Sequence, residues 1–248
     1  MSKSIYIFGF HSIESVLNSS PELVIRVLIQ KGRKDKRIID LTNILNSHKI
    51  LYSISDKHSL DKISKGEVHQ GVISEVMTPP ILSEESFFHS INMFDQKPMI
   101  LILDSIQDPR NLGACLRSAN AAGVSHVVIN KDGSAPINSL VHRTSAGAIN
   151  SLQIFHVTNL SRTIKQIQER NIWVVGLDGN TQSSIYNVNL TSSIAIVVGS
   201  EGKGIRPLIK KTCDQLVCIP MSGNIESLNV SVATAISLFE IKRQRESS

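Results

Sequence analysis

The sequence predicts an α/β protein: a parallel sheet in the longer, C-terminal part and a small α/β module ahead of it. Two observations carry this. From Met99 onward, short runs of Ile, Leu and Val that are apolar at every position alternate with helix-like segments. That is the pattern of strands buried on both faces and joined by crossover helices. And 248 residues exceed one average domain while falling short of two large ones.

In chain order, the first lobe (1–77) offers four strand-like runs, IYIF, LVIRVLI, ILYSI and VHQGVISEV, with helical patterns at HSIESVL and DKRIIDLTNILNSH. The stretch MTPPILSEESFFHSINMFDQKP has a Pro pair and no basic residue before Lys97, so 78–96 reads as a linker carrying a short helix. From 97 to 248 the strands are MILILD, HVVIN, LQIFHV, IWVVGL, IAIVVG and QLVCIP. The helices are NLGACLRSANAAG, SLVHRTSAGA, LSRTIKQIQER, RPLIKKT and LNVSVATAISLFEIKRQR. Ligands of such sheets bind beyond the carboxyl ends of the strands, which directs attention to the loops after Leu103, Val198 and Ile219.

Composition narrows the class. Hydrophobic residues make up 41% and aromatics only 4%, so the core is built from Ile, Leu, Val and Ala. No apolar run reaches the roughly 18–20 residues that span a bilayer, and MSKSIYIFGFHSIESVL lacks the features of a signal peptide. The expectation is a cytoplasmic protein without a membrane segment. Cys115, Cys213 and Cys218 form no CxxC pair, so neither a metal site nor a disulfide framework is expected. The net charge of +5 divides as +3 over 1–77, −3 over 78–96 and +5 over 97–248. Two basic lobes are a mild footprint of a polyanionic partner. The run KGRKDKR, Lys31 to Arg37, reads either as a solvated loop or as a phosphate contact.

Three strand ends carry unusual residues. GSEGKGIRP, from Gly199, has three glycines in six residues, which permits close backbone approach and leaves N–H groups to grip a ligand. It matches neither the P-loop nor the dinucleotide fingerprint. Glu201, a carboxylate inside that loop, must find donors. In CIPMSGNIESLNVSVATAISLFEIKRQR, either Ser227 or Asn229 suffices to cap the final helix, which leaves the other unexplained. In DSIQDPRNLGACLRSANAAG, Asn111 and Arg117 fall six residues apart, which suggests that one helix face presents both.

Together, DPRNLGACLRSANAAG, VVGSEGKGIRP and IPMSGNIESLNVSVATAISLFE closely resemble the three motifs of the SpoU (TrmH) family of S-adenosylmethionine-dependent RNA ribose 2'-O-methyltransferases. GFHSIESVL and HQGV resemble the small RNA-binding domain of its bacterial 23S ribosomal RNA members. The resemblance implies a SPOUT α/β knot, with a C-terminal trefoil that bends the cofactor, in an obligate homodimer. It implies that the backbone at Gly199, Ile219 and Leu228 holds S-adenosylmethionine, and that Asn111, Arg117, Glu201, Ser227 and Asn229 form the catalytic constellation. The implied substrate is a guanosine ribose of 23S ribosomal RNA in the peptidyl transferase centre, with no metal required. Transfer RNA as substrate, or a non-catalytic ribosome-assembly role, are the alternatives.

In that family Arg117 is the proposed general base, which sits awkwardly with a guanidinium that is effectively always protonated. Either a neighbouring group helps it to shed a proton, or it stabilises a developing alkoxide. Glu201 would orient an arginine of its own or the partner subunit, and Arg110 would contact phosphate. Glu226, beside Ser227, departs from the pattern and bears on RNA affinity. His11, His69, His126 and His142 lack metal-ligand spacing and are read as structural. Asp104, Asp108 and Asp178 are read as turn or capping groups.

Overall fold

The structure, a computed structural model, describes residues 4–78, 80–94, 96–223 and 227–247. Internal contacts divide it into two units, Met1–Pro80 with Ile137–Ser151, and Ile81–Pro136 with Leu152–Ser248.

The first unit runs β1 (Ser4–Phe8), α1 (Phe10–Ser19), β2 (Val24–Gln30), α2 (Lys36–Ser47), β3 (Tyr52–Ser55), α3 (Lys57–Ser64) and β4 (Val72–Met77). Its sheet has the order β1-β4-β2-β3, with β4 antiparallel to both neighbours and β3 parallel to β2. Ile7, Phe10, Ile13, Leu17, Val27 and Leu41 build its core against α1 and α2. The run VHQGVISEV is not one strand. Gln70 (φ 52°) and Gly71 (φ 77°) turn the chain, and the buried His69 ring accepts from the Gly71 N–H at 3.0 Å, so pairing begins only at Val72.

The second unit opens with β5 (Leu82–Ser83) and α4 (Glu84–Asn92), followed by β6 (Met99–Asp104), α5 (Pro109–Ala122) and β7 (His126–Asn130). The segment expected to be a linker is therefore largely structured. Ser83 caps α4, β5 pairs with the sheet, and Phe87 is fully buried in the unit's core. Next comes α6 (Ser139–Thr144), a short helix that belongs to the first unit, where Arg143 pairs with Glu67 at 2.5 Å. The longer helix expected over SLVHRTSAGA stops there because Ala146 (φ 49°) and Gly147 (φ 82°) leave helical geometry.

The chain continues through β8 (Gln153–Val157), α7 (Leu160–Gln168), β9 (Trp173–Leu177), β10 (Ile194–Gly199), α8 (Pro207–Thr212), β11 (Gln215–Val217) and α9 (Val230–Glu246). The sheet order is β11-β9-β10-β6-β7-β8-β5, and every pair in it is parallel. This is the α/β parallel sheet expected. β6, β7 and β10 are buried at every residue, which explains their unbroken apolar sequence.

The strand order reverses at β6: β7 and β8 lie on one side, while β10 inserts on the other between β6 and β9. That insertion sets Gly199 beside Asp104 at the carboxyl end of the sheet. Beyond β11 the chain runs along the β9–β10 connection. Cys218 N–H donates to the Ser183 carbonyl at 2.8 Å, and Ile185 N–H donates to the Cys218 carbonyl at 2.9 Å. The final helix α9 then packs on α5, where Cys115 meets Thr234 at 3.4 Å.

Candidate active site

A cavity of about 640 Å³ opens beyond the carboxyl ends of β9, β10 and β11. Gly199, Ile219 and Leu228, expected to hold the cofactor, all line it, and so do Glu201 and Ser227. The size suits a small-molecule ligand. Its wall mixes apolar residues such as Val198 and Met221 with glycines and the acids Asp178 and Glu201, a lining fit for a cofactor with an apolar ring and a charged tail.

The glycines have distinct reasons. A Cβ on Gly199 would lie 2.0 Å from the Gly204 carbonyl carbon and 2.1 Å from the Ile205 nitrogen, so the loop backbone folds directly over it. Gly204 N–H closes that turn on the Ser200 carbonyl at 2.8 Å, with Gly202 (φ 75°) and Gly204 (φ 64°) in the left-handed region.

Residues far apart in sequence then meet at Glu201. Asn111 Nδ2 donates to Glu201 Oε2 at 3.0 Å. Asn229 Nδ2 donates both to Glu201 Oε1 and to Asn111 Oδ1, each at 3.0 Å. Asp108 fixes the first corner by capping α5 through the Arg110 N–H at 2.9 Å. Asn229 fixes the third: its Oδ1 caps α9 by accepting from Ser231 N–H at 2.9 Å. Asn229 is thus both cap and site residue, while Ser227 is left free of the cap. Glu201 finds its donors in two amides rather than in an arginine.

Arg117 stands apart. It is exposed, does not line the cavity, and makes no hydrogen bond or ion pair among the described residues. Six residues along a helix are about 1.7 turns, an offset of about 120°, so Asn111 and Arg117 do not share a face of α5. Arg110, seven residues before Arg117, is exposed on nearly the same stripe. Glu226 lies outside the described residues.

Two ion pairs brace the site. Asp104 is fully buried at the end of β6, where its carboxylate accepts from Arg206 N–H at 2.9 Å and from Arg206 Nε at 2.7 Å. It is a strut between β6 and the glycine loop, not a turn group. Asp178, on the cavity wall, accepts from Asn180 N–H at 3.2 Å and pairs with Lys210 at 2.8 Å. Burial pushes the Asp178 pKa up, but the Lys210 ammonium and the Asn180 donors outweigh it and hold the carboxyl below its ordinary value. The sequence signal for both struts was an acid at a strand end; their partners, Arg206 and Lys210, are not marked by any local pattern.

Among the described residues no cluster of ligating side chains could hold a metal ion, and no helix is long and apolar enough to cross a membrane.

A parallel sheet whose strand-end cavity is lined by a glycine loop, with Glu201 of that loop held by Asn111 and Asn229, defines an α/β enzyme built around a small-molecule cofactor. Residues 98–239 match the model of the SpoU rRNA methylase family, and residues 6–81 match that of the RNA 2'-O ribose methyltransferase substrate-binding domain. The chain belongs to the SpoU rRNA methylase family. It is 47% identical over 246 residues to the 23S rRNA (guanosine-2'-O-)-methyltransferase RlmB of Haemophilus influenzae, covering 99% of each chain. Its fold is similar to that of the SpoU methyltransferase AviRb from Streptomyces viridochromogenes, solved with the cofactor AdoMet (TM-score 0.81, 23% identity, 99% of this chain and 91% of that one). The A. aeolicus TrmH/SpoU tRNA modifying enzyme matches only 61% of this chain and 77% of its own (TM-score 0.56, 32% identity).

Proposed function

We propose that the chain transfers a methyl group from S-adenosylmethionine to the ribose 2'-hydroxyl of a guanosine in 23S ribosomal RNA. The observation that carries this reading is the Asn111–Glu201–Asn229 triangle, which joins one residue from each of the three motifs, with Glu201 on the cavity wall. The relative matching over its whole length acts on 23S rRNA. A transfer-RNA substrate is the weaker reading, because the tRNA enzyme leaves more than a third of this chain unmatched.

When bound, S-adenosylmethionine supplies an electrophilic methyl group. The chain must align a ribose oxygen with it and manage the hydroxyl proton. Backbone groups at Gly199, Ile219 and Leu228 hold the cofactor, and Gly199 lets the loop close over it. The triangle fixes the loop conformation that presents Ser227 and Glu201 to the cavity. Arg117 approaches the ribose of the substrate. No acceptor lies against its guanidinium among the described residues, so we assign it electrostatic stabilisation of the developing 2'-oxyanion.

The rest of the proposal extends this reading. The passage of the C-terminal chain along the β9–β10 connection is read as a trefoil knot, and the enzyme as a cytoplasmic homodimer in which Arg117, outside the cavity of its own protomer, serves the assembled site. Residues 1–77 act as the RNA-binding domain. The test is to map ribose methylation on 23S ribosomal RNA from cells with and without the protein. One guanosine that loses its mark supports the function, and an unchanged map overturns it.

A further inference from the structure

We propose that the loop from Lys31 to Arg37 is the surface on which the first unit grips the sugar-phosphate backbone of its RNA; this rests on the function proposed above. By itself a run of basic residues is most often a solvated loop, and two observations argue otherwise.

The loop is held by the fold. Arg33 spends its guanidinium internally: Nε donates to Asp35 Oδ2 at 2.8 Å, and Nη1 donates to the Gln70 carbonyl. The turn at 69–71 is shaped around it, since a Cβ on Gly71 would meet Arg33 Nη1 at 2.8 Å. Arg33 and Arg37 both lie over the ring of the buried Phe10, at 5.2 and 4.4 Å from its centroid. Of the two, Arg37 is the one left for a ligand, and a guanidinium pinned to a ring loses less entropy on meeting it than a free side chain does.

The loop also leaves its charge unspent. Asp35 stands at the N-cap of α2, and its carboxylate pairs with Arg33 at 2.6 Å. Lys31, Lys34 and Lys36 are exposed and meet no carboxylate among the described residues, and Arg37 has only Glu14, at 3.8 Å. An internal ion pair thus removes the one acid of the loop and leaves four cations on an ordered scaffold. That arrangement fits a polyanion read by its backbone rather than its bases.

The test compares two full-length triple variants that remove the same charge from the same unit: Lys34→Gln/Lys36→Gln/Arg37→Gln in the loop, and Lys57→Gln/Lys62→Gln/Lys65→Gln on α3 and its C-cap. Binding of 23S ribosomal RNA transcript is measured against salt, with cofactor affinity and thermal midpoint as controls for folding. The loop variant is expected to bind at least about tenfold more weakly at physiological salt, with the slope of log K on log salt shallower by about 2, while the α3 variant keeps the wild-type slope. Equal losses in both variants, or none in the loop variant, overturn the inference while wild-type methylation of 23S RNA still stands. A wild-type chain with no salt-dependent RNA binding overturns this inference and the proposed function together.

Discussion

Asn111 and Glu201, ninety positions apart in the chain, are joined by a 3.0 Å hydrogen bond from amide to carboxylate. The bond links the first turn of α5 to the glycine loop after β10, and Asn229 closes it from the start of α9. Glu201 uses one oxygen for each amide. In Glu201→Gln only one acceptor oxygen remains, and one asparagine loses its partner. A hydrogen bond to a charged group is worth about 1.5–3 kcal/mol, so single-turnover methylation should slow by roughly tenfold to a hundredfold. Cofactor affinity, which the proposed function assigns to the backbone around Gly199, should change far less. Wild-type single-turnover rates in the glutamine variant would remove the triangle from the mechanism.

Gly199 and Gly202 sit in one loop but answer to different constraints. At Gly199 the φ angle is ordinary and the obstacle is the Gly204–Ile205 backbone, which would come within 2.0 to 2.2 Å of an added methyl group. At Gly202 the space is open and the obstacle is φ 75°. Gly199→Ala should therefore cost about 3 kcal/mol or more and abolish cofactor binding by calorimetry. Gly202→Ala should cost about 1 kcal/mol and leave binding measurable. Equal effects would mean that the loop does not pack as described.

The central strands β6, β7 and β10 are legible in the sequence because each is buried at every residue, so burial alone writes the apolar run. Their order is not. That β10 inserts between β6 and β9 is decided by crossovers and by pairing between distant segments, of which local pattern holds no trace. The short helix α4 is expected within 78–96, but the pairing of β5 and the docking of the segment through Phe87 are hidden by its prolines and acids. Asp104 resembles a turn residue because its partner, Arg206, comes 102 positions later. The three motifs single out Asn111, Glu201 and Asn229, which the structure brings together, but not the phase of α5, since a spacing of six does not return to the same helix face.

Arg117 offers a sharp contrast with the triangle. Since it is exposed and contacts neither cavity nor triangle, Arg117→Ala should leave the thermal midpoint and cofactor affinity close to wild type while ribose methylation collapses. Arg117→Lys separates its two chemical roles. A lysine keeps the positive charge but titrates near its ordinary pKa of about 10.4, whereas a guanidinium does not. If charge alone matters, the lysine variant recovers part of the rate with a flat pH profile from 7 to 9. A rate that climbs tenfold per pH unit across that range would mean that a neutral base at position 117 is required.

Two buried histidines contribute to the response to acid. Burial pushes the His142 and His126 pKa values down to about 4 each. His126 Nδ1 and Nε2 meet the hydroxyls of Ser125 and Ser90 at 2.8 and 2.9 Å, whereas neither ring nitrogen of His142 has a hydrogen-bond partner among the described residues. An unfolded histidine takes its proton near pH 6.5, and the native ring refuses it until about 4, so between those values the unfolded chain binds more protons. Stability is therefore full above pH 6.5 and falls as the pH drops toward 4, by up to about 3 kcal/mol for each ring. Because the His142 nitrogens form no bond that a substitution would break, His142→Leu should match or exceed wild-type stability at pH 7 and lose less on acidification. His126→Asn, which forfeits ring packing against Phe87 and Phe155 at 5.9 and 5.7 Å, should be less stable at both pH values. Urea unfolding at pH 7.5, 6 and 4.5 distinguishes the two, and a His142→Leu curve as acid-sensitive as wild type would place the acid response elsewhere.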